Sequence, residues 1–175
     1  MWVIVSRDLE VITVPWGEKL QLPEGSQVRL TQAAGGSYTV VTDQGVMCRV
    51  DERDADAIGE SRMPAEKAAA DAPYDEAELW RRLRTVYDPE IPINIVDLGL
   101  IYNVRAQTLP EGGRRLDIDM TMTAPGCGMG EVLRQEVERK ALASPGVKEV
   151  HVAVVFDPPW SLDKMSEAAR LQLGL

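Results

Sequence analysis

The sequence predicts an α+β protein with a small N-terminal all-β domain followed by a compact α/β domain that contains a mixed sheet. Three observations carry this prediction. Short β-rich runs fill residues 1–56, small and charged residues occupy 57–73, and helix and strand patterns alternate over 74–175. We expect these ranges to be a β domain, a linker and a second domain.

The first domain is predicted from runs of β-branched or alternating residues at 2–5, 9–14, 27–30, 38–42 and 46–50. Turns that contain glycine, such as Pro15 to Gly17 and Asp43 to Gly45, separate several of these runs. This rhythm is typical of a small antiparallel barrel or sandwich.

The second domain has the predicted order α-β-β-α-β-α. Asp75 and Glu78 form a capping box, and the helix they begin is expected to end before Pro89. A hairpin with strands at 99–105 and 115–123 follows, then a helix at 129–141, a strand at 150–156 and a terminal helix at 161–173. A right-handed β-α-β crossover makes one strand pair parallel, so the sheet is mixed.

Alternation assigns faces to two of these strands. In the hairpin's second strand, Leu116, Ile118, Met120 and Met122 share one face, and Asp117, Asp119, Thr121 and Thr123 share the other. In the last strand the inner face is predicted to hold Val150, Val152, Val154 and Phe156.

The composition excludes several classes of protein. With 28 acidic and 19 basic residues the net charge is −9, which argues against nucleic-acid and anionic-membrane partners. One histidine and two cysteines are too few for a zinc finger or a set of disulfides. The N-terminal apolar run is too short for a signal peptide, so we expect a cytoplasmic protein.

The segment Thr121 to Gly130 carries the strongest chemical signal, because it leads from a strand end through a glycine-rich loop into a helix. Cys127 is thereby predicted near a helix N-terminus, where free N–H groups and the helix dipole favour a thiolate. A small residue in a tight turn is the competing interpretation, and the residues leave both open. Glu131 stands where a dinucleotide loop requires glycine, which disfavours that function.

Asp88 and Glu90 lie in a proline-containing apolar loop, where they could ligate a hard metal or position a thiol. Alternatively, Asp88 caps a turn and Glu90 is solvated, and Asp97 caps the turn before the next strand. Cys48 is expected to be buried, and His151, opposite the valine row, to lie at the surface. A single histidine gives no convincing catalytic arrangement, so we predict no enzyme.

Four ordered motifs resemble the SufT and MIP-type family of metal–sulfur cluster biosynthesis proteins. They are Asp88-Pro89-Glu90, Asn94 to Tyr102, Met120 to Cys127 and Phe156-Asp157-Pro158-Pro159-Trp160. The resemblance implies a role in maturing iron–sulfur proteins, with Cys127 as the key cysteine and Asp88, Glu90 and Thr123 lining a pocket around it. Gly128 and Ala124 depart from the proline and second threonine of many relatives. The β-rich segment looks like the N-terminal extension of SufT proteins.

The resemblance favours an assembly factor in which Cys127 transiently binds iron or an iron–sulfur cluster, or contacts a client's metal site. One thiolate cannot supply four cluster ligands, so the cargo would be shared across a homodimer or with a client or carrier. Client proteins and the assembly machinery are the expected partners. The alternatives are an adaptor that docks partners through the β domain and the Ile91 to Ile95 loop, and a thiol enzyme.

Overall fold

The computed structural model describes residues 1–62, 71–126 and 128–175, and backbone contacts divide the chain into two units. The first unit contains residues 1–62 together with Pro89–Pro92. The second contains 71–88 and the described residues from Ile93 onward. The predicted linker, 57–73, lies partly outside the described residues, and its extent stays a prediction.

The first unit is built on one antiparallel sheet of six strands, in the order β1-β4-β5-β6-β2-β3. The all-β prediction is confirmed, with one strand more than the patterns predicted. β3 was missed because it has only four residues, too short a run for the alternation of Lys19 and Gln21 with Leu20 and Leu22 to be recognised. The strands are β1 (Trp2–Ile4), β2 (Leu9–Thr13), β3 (Lys19–Leu22), β4 (Gln27–Ala34), β5 (Ser37–Thr42) and β6 (Met47–Val50).

A 3₁₀ helix, Glu52–Ile58, completes the core of this unit. The Asp51 carboxylate accepts the Arg53 N–H at 3.0 Å to begin the helix. Ala55, Ala57 and Ile58 are buried in one cluster with strand residues. No helix was predicted here, because charged residues outnumber the apolar ones that face the core.

The second unit has the predicted order of helices and strands and a mixed sheet, β7-β8-β9. β7 pairs with β8 antiparallel, and β8 pairs with β9 parallel. Within the described ranges, no helix has the length and apolar character needed to cross a bilayer. The elements are α1 (Glu76–Leu83), β7 (Ile101–Thr108), β8 (Arg114–Met120), α2 (Gly130–Leu142), β9 (Val147–Val154), a 3₁₀ turn (Leu162–Lys164) and α3 (Glu167–Leu173).

One face of the β7-β8-β9 sheet carries the core of this unit. Leu116, Ile118 and Met120 are buried, as their alternation predicted, and Leu133 and Val137 of α2 are buried with no exposed surface. His151 is exposed, which confirms its predicted surface position. Burial of these aliphatic side chains contributes about 1.5–3 kcal/mol each to stability.

Several predicted boundaries are wrong. β8 ends at Met120 rather than at 123, and the predicted terminal helix at 161–173 is a 3₁₀ turn, Leu162–Lys164, followed by α3 from Glu167. Phe156 is 47% exposed rather than on the inner face, because β9 ends at Val154 and the chain turns away before Pro158. α1 ends at Leu83 rather than near Asp88. There the Thr85 hydroxyl donates to the Arg82 carbonyl at 2.6 Å, and the chain then continues in an extended conformation up to Pro89.

Candidate functional site

Three of the four sequence motifs meet at one edge of the β7-β8-β9 sheet. Because β7 runs against β8 and β9 runs with it, this edge holds the start of β7 and the ends of β8 and β9. The Thr121 N–H donates to the Leu100 carbonyl at 2.8 Å, and the Val155 N–H donates to the Met120 carbonyl at 2.8 Å. The segments that flank these strand ends are therefore held side by side.

The turn that leads into β7 is fixed by Asn94. Its side-chain oxygen accepts the Asp97 N–H at 2.9 Å, and its amide donates to the Asp97 carboxylate at 2.6 Å. Asn94 thus caps this turn in place of Asp97, the residue that the sequence suggested. Gly99 ends the turn with a φ of +76°, and a Cβ there would collide with the Lys164 carbonyl oxygen.

Two side-chain hydrogen bonds connect the segment after β9 to β7 and to the turn that precedes it. The Trp160 indole N–H donates to the Leu98 carbonyl at 2.7 Å. The Tyr102 hydroxyl donates to the Pro158 carbonyl at 2.7 Å. These bonds explain why the motif that ends at Trp160 accompanies the motif around Gly99: each one positions the backbone of the other.

Asp88 and Thr123 both lie in the second unit, in segments adjoining this edge. Asp88 is only 3% exposed, and its N–H donates to the Ile93 carbonyl at 3.2 Å. Thr123 is half-buried in the loop after β8. A buried carboxylate and a partly exposed hydroxyl are groups that can orient a ligand by hydrogen bonding. Their predicted role around a cysteine stays a prediction.

Glu90 is exposed and belongs, with Pro89–Pro92, to the first unit. Its predicted role near the cysteine also stays a prediction. Within the described part of the chain, no three histidine, cysteine, aspartate or glutamate side chains are grouped closely enough to hold a metal ion.

Cys127, the principal predicted site residue, lies outside the described residues. Its neighbours Gly126 and Gly128 are exposed, whereas Met129 is buried. α2 begins at Gly130, and the preceding Met129 makes no side-chain cap hydrogen bond. The first N–H groups of this helix therefore lack a cap from Met129, and with the helix dipole they favour negative charge nearby.

Thr121 lies within the Met120 to Cys127 motif, but the sequence did not single it out as a site residue. Alternation placed it with Asp119 on the face of β8 opposite Leu116, and it has no exposed surface. Among the described residues, its buried hydroxyl oxygen has no hydrogen-bond partner. Leaving a buried hydroxyl unpaired costs about 1–3 kcal/mol, so this position is unfavourable for threonine unless the hydroxyl has a further role.

Comparison with known proteins assigns this part of the chain to a family. A family model described as iron–sulfur cluster assembly protein matches residues 76–154. A relative in Porphyromonas gingivalis, an Fe-S protein maturation auxiliary factor, is 46% identical over 99 residues, which are 57% of this chain and 90% of the relative. The Fe-S protein maturation auxiliary factor SufT of Staphylococcus aureus is 39% identical, over 51% of this chain and 98% of the relative.

A solved structure supports the same assignment. A crystallised domain of unknown function from Bacillus anthracis has 38% sequence identity and a TM-score of 0.50, and the match covers 57% of this chain and 92% of that one. The family match includes the start of β7, the end of β8 and the end of β9, which form the sheet edge described above. The chain belongs to the family of iron–sulfur cluster assembly proteins.

Proposed function

We propose that this protein is an iron–sulfur maturation factor that binds iron or a cluster transiently, as cargo, through the Cys127 thiolate. The supporting observation is the sheet edge where three motif segments are held together by backbone and side-chain hydrogen bonds. The loop that contains Cys127 starts at this edge and leads to the N-terminus of α2. A helix N-terminus lowers the pKa of a nearby thiol and so favours the form that binds metal.

The number of thiols decides how the cargo is held. Cys48 has no exposed surface and belongs to the core of the first unit, so it is not a ligand for a cluster at the protein surface. Cys127 alone supplies one of the four ligands that clusters usually have. We propose that the remaining ligands come from a second copy, a client or a carrier. A site with few ligands from each protein suits delivery, because the cargo can leave it.

Asp88, Glu90 and Thr123 are proposed to line the cargo pocket as polar groups. Asp88 is the strongest of these candidates, because a buried carboxylate keeps a fixed orientation and can hydrogen-bond to a metal-bound water or amide. Glu90 is exposed and so has the weakest support. Client iron–sulfur proteins and the assembly machinery are the proposed partners, with the cytoplasm as the compartment.

A pure adaptor is the second candidate function, because the first unit exposes large apolar side chains. Trp2, Ile4 and Trp16 are each more than half exposed, and exposed tryptophans are frequent anchors of protein interfaces. The Ile91 to Ile95 loop does not support this function, since Ile93 and Ile95 are buried. The adaptor differs from the assembly factor in that Cys127 has no role.

Maturation of a client in cells tests the proposal. Cells that lack this protein are complemented with the wild type, Cys127→Ala or Cys48→Ala, and the activity of an iron–sulfur enzyme is measured with the amount of each variant. We expect Cys127→Ala to accumulate normally and to lose most client activity. Relative to the amount of protein that accumulates, Cys48→Ala should retain client activity. Full client activity with Cys127→Ala would favour the adaptor.

A further inference from the structure

The hydroxyl of Thr121 is a buried polar group without a hydrogen-bond partner among the residues that the structure describes. The oxygen is inaccessible to solvent. Other threonine hydroxyls in the chain are used: that of Thr42 accepts the Val46 N–H at 3.1 Å, and that of Thr85 donates to the Arg82 carbonyl at 2.6 Å. Buried polar groups without a partner are uncommon and each calls for an explanation.

Looseness of the backbone does not explain this unpaired hydroxyl. The Thr121 N–H is bonded to the Leu100 carbonyl, and the carbonyl of Met120 accepts the Val155 N–H, both at 2.8 Å. The chain at this point is thus fixed from both sides, by the segments next to β7 and β9. A threonine held this firmly keeps its side chain in a fixed place at the sheet edge.

We propose that Thr121 is a positioning residue whose hydroxyl donates a hydrogen bond to an anionic sulfur of the iron-bound cargo. This inference rests on the proposed function and adds to it a residue that holds the cargo without ligating iron. A hydroxyl is a suitable donor here, because it carries no charge of its own and can be buried at low cost once paired. Hydrogen bonds to cluster sulfurs stabilise the bound form.

Threonine suits this position by its size, because the side chains of Met120, Thr121 and Met122 are all buried at the end of β8. Valine has the same shape as threonine without the hydroxyl, so Thr121→Val removes the proposed donor and preserves the packing. Serine keeps the donor and loses the methyl group.

The test uses the full chain, reconstituted anaerobically with ferrous iron and sulfide. Iron affinity is measured by titration, and the melting temperature is measured without iron for wild type, Thr121→Val, Thr121→Ser, Thr85→Val and Cys127→Ala. We expect Thr121→Val to melt at or above the wild-type temperature and to bind iron about 10–100-fold more weakly. Thr121→Ser restores affinity to within about threefold. Thr85→Val, the matched control, melts lower and binds iron normally.

The outcomes separate this inference from the proposed function. If Thr121→Val binds iron as tightly as wild type while Cys127→Ala does not, the role of Thr121 is overturned and the proposed function stands. A lower melting temperature of Thr121→Val without iron, combined with unchanged affinity, shows a structural role and also overturns it. If wild type and Cys127→Ala bind iron equally, the proposed function fails, and the Thr121 inference fails with it.

Discussion

At the scale of single residues, the structure describes the surroundings of Cys48. Cys48 has no exposed surface and lies in β6, among the valines and leucines of the first core. Burial raises the pKa of its thiol from 9.0 to about 11, because the thiolate cannot be solvated there. Cys48 is therefore an apolar core residue, as its sequence context predicted, and has no chemical role.

This pKa predicts how stability depends on pH. Above pH 9 the unfolded state loses the Cys48 proton, whereas the folded state keeps it until about pH 11. The folded state thus binds more protons in this window, and the free energy of unfolding falls as the pH rises through it. Denaturant titrations at pH 8 and pH 10.5 measure the loss. Cys48→Ala should lose less stability between the two pH values, and an equal loss would show that another group is responsible.

Alkylation provides a second prediction at this scale. Iodoacetamide reacts with thiolates and needs access to the sulfur, so Cys48 should remain unmodified in the native protein at pH 7.5. Mass spectrometry after labelling measures the modified positions. We expect Cys48 to be modified only in denaturant. Modification of Cys48 as rapid in the native state as in denaturant would contradict its burial.

At the scale of elements, the turn before β7 depends on a glycine. Gly99 has a φ of +76°, and the Lys164 carbonyl oxygen occupies the space that a Cβ would need. Non-glycine residues pay about 1–2 kcal/mol in this conformation even where space is open. The close approach of the two backbones adds to this cost. Because Gly99 has no Cβ, the backbone at Lys164 in the segment after β9 can pack directly against the turn before β7.

We predict that Gly99→Ala lowers the free energy of unfolding by about 3 kcal/mol or more, from backbone strain together with the displacement of Lys164. Gly112→Ala is the matched control, because Gly112 has a φ of +90° and nothing within 4 Å of a Cβ. It should cost only about 1–2 kcal/mol. Urea denaturation measures both, and equal losses for the two variants would contradict the close contact with Lys164.

At the scale of elements, the sequence predicted the buried face of β8 but not every strand end. Strict alternation placed Leu116, Ile118 and Met120 on the buried face of β8 correctly. The same reasoning misplaced Phe156, because alternation continues in the sequence beyond the residue at which the strand ends. The 3₁₀ helix Glu52–Ile58 was not predicted, since only Ala55, Ala57 and Ile58 are buried in it and their spacing is not that of an α-helix.

The candidate site was predictable in part. The motifs indicated which segments matter, but their convergence at one sheet edge follows from strand directions, which a local pattern does not specify. The burial of the Thr121 hydroxyl is a property of tertiary packing, and alternation alone only grouped this residue with Asp119 on the face of β8 opposite Leu116. The role of Cys127 remains a prediction from its loop and its family.

At the scale of the whole molecule, each of the two units has its own buried core. The family match covers residues 76–154, in the second unit, and leaves the six-stranded sheet outside it. The large exposed apolar side chains of the first unit, Trp2, Ile4 and Trp16, suit a role in partner binding. We therefore propose that cargo binding depends mainly on the second unit and that the first contributes to the choice of partner.

This division predicts that a fragment comprising residues 71–175 folds alone. The fragment should unfold cooperatively on heating, because β7, β8, β9 and α2 bury their apolar faces within it. It should also bind iron with the affinity of the full chain. Circular dichroism and iron titration measure the two properties. A fragment that lacks a cooperative transition would show that the second unit depends on the first.

The central claim, that Cys127 holds iron as cargo, is tested most directly by anaerobic purification of the full chain with analysis of iron and sulfide. Wild type and Cys127→Ala are compared at equal protein concentration, and visible absorbance is recorded for both. We predict that the wild type carries iron with visible absorbance, and that Cys127→Ala loses at least about 90% of both, as the 10–100-fold effects known for metal sites suggest. Equal iron and absorbance in the two proteins would contradict the claim.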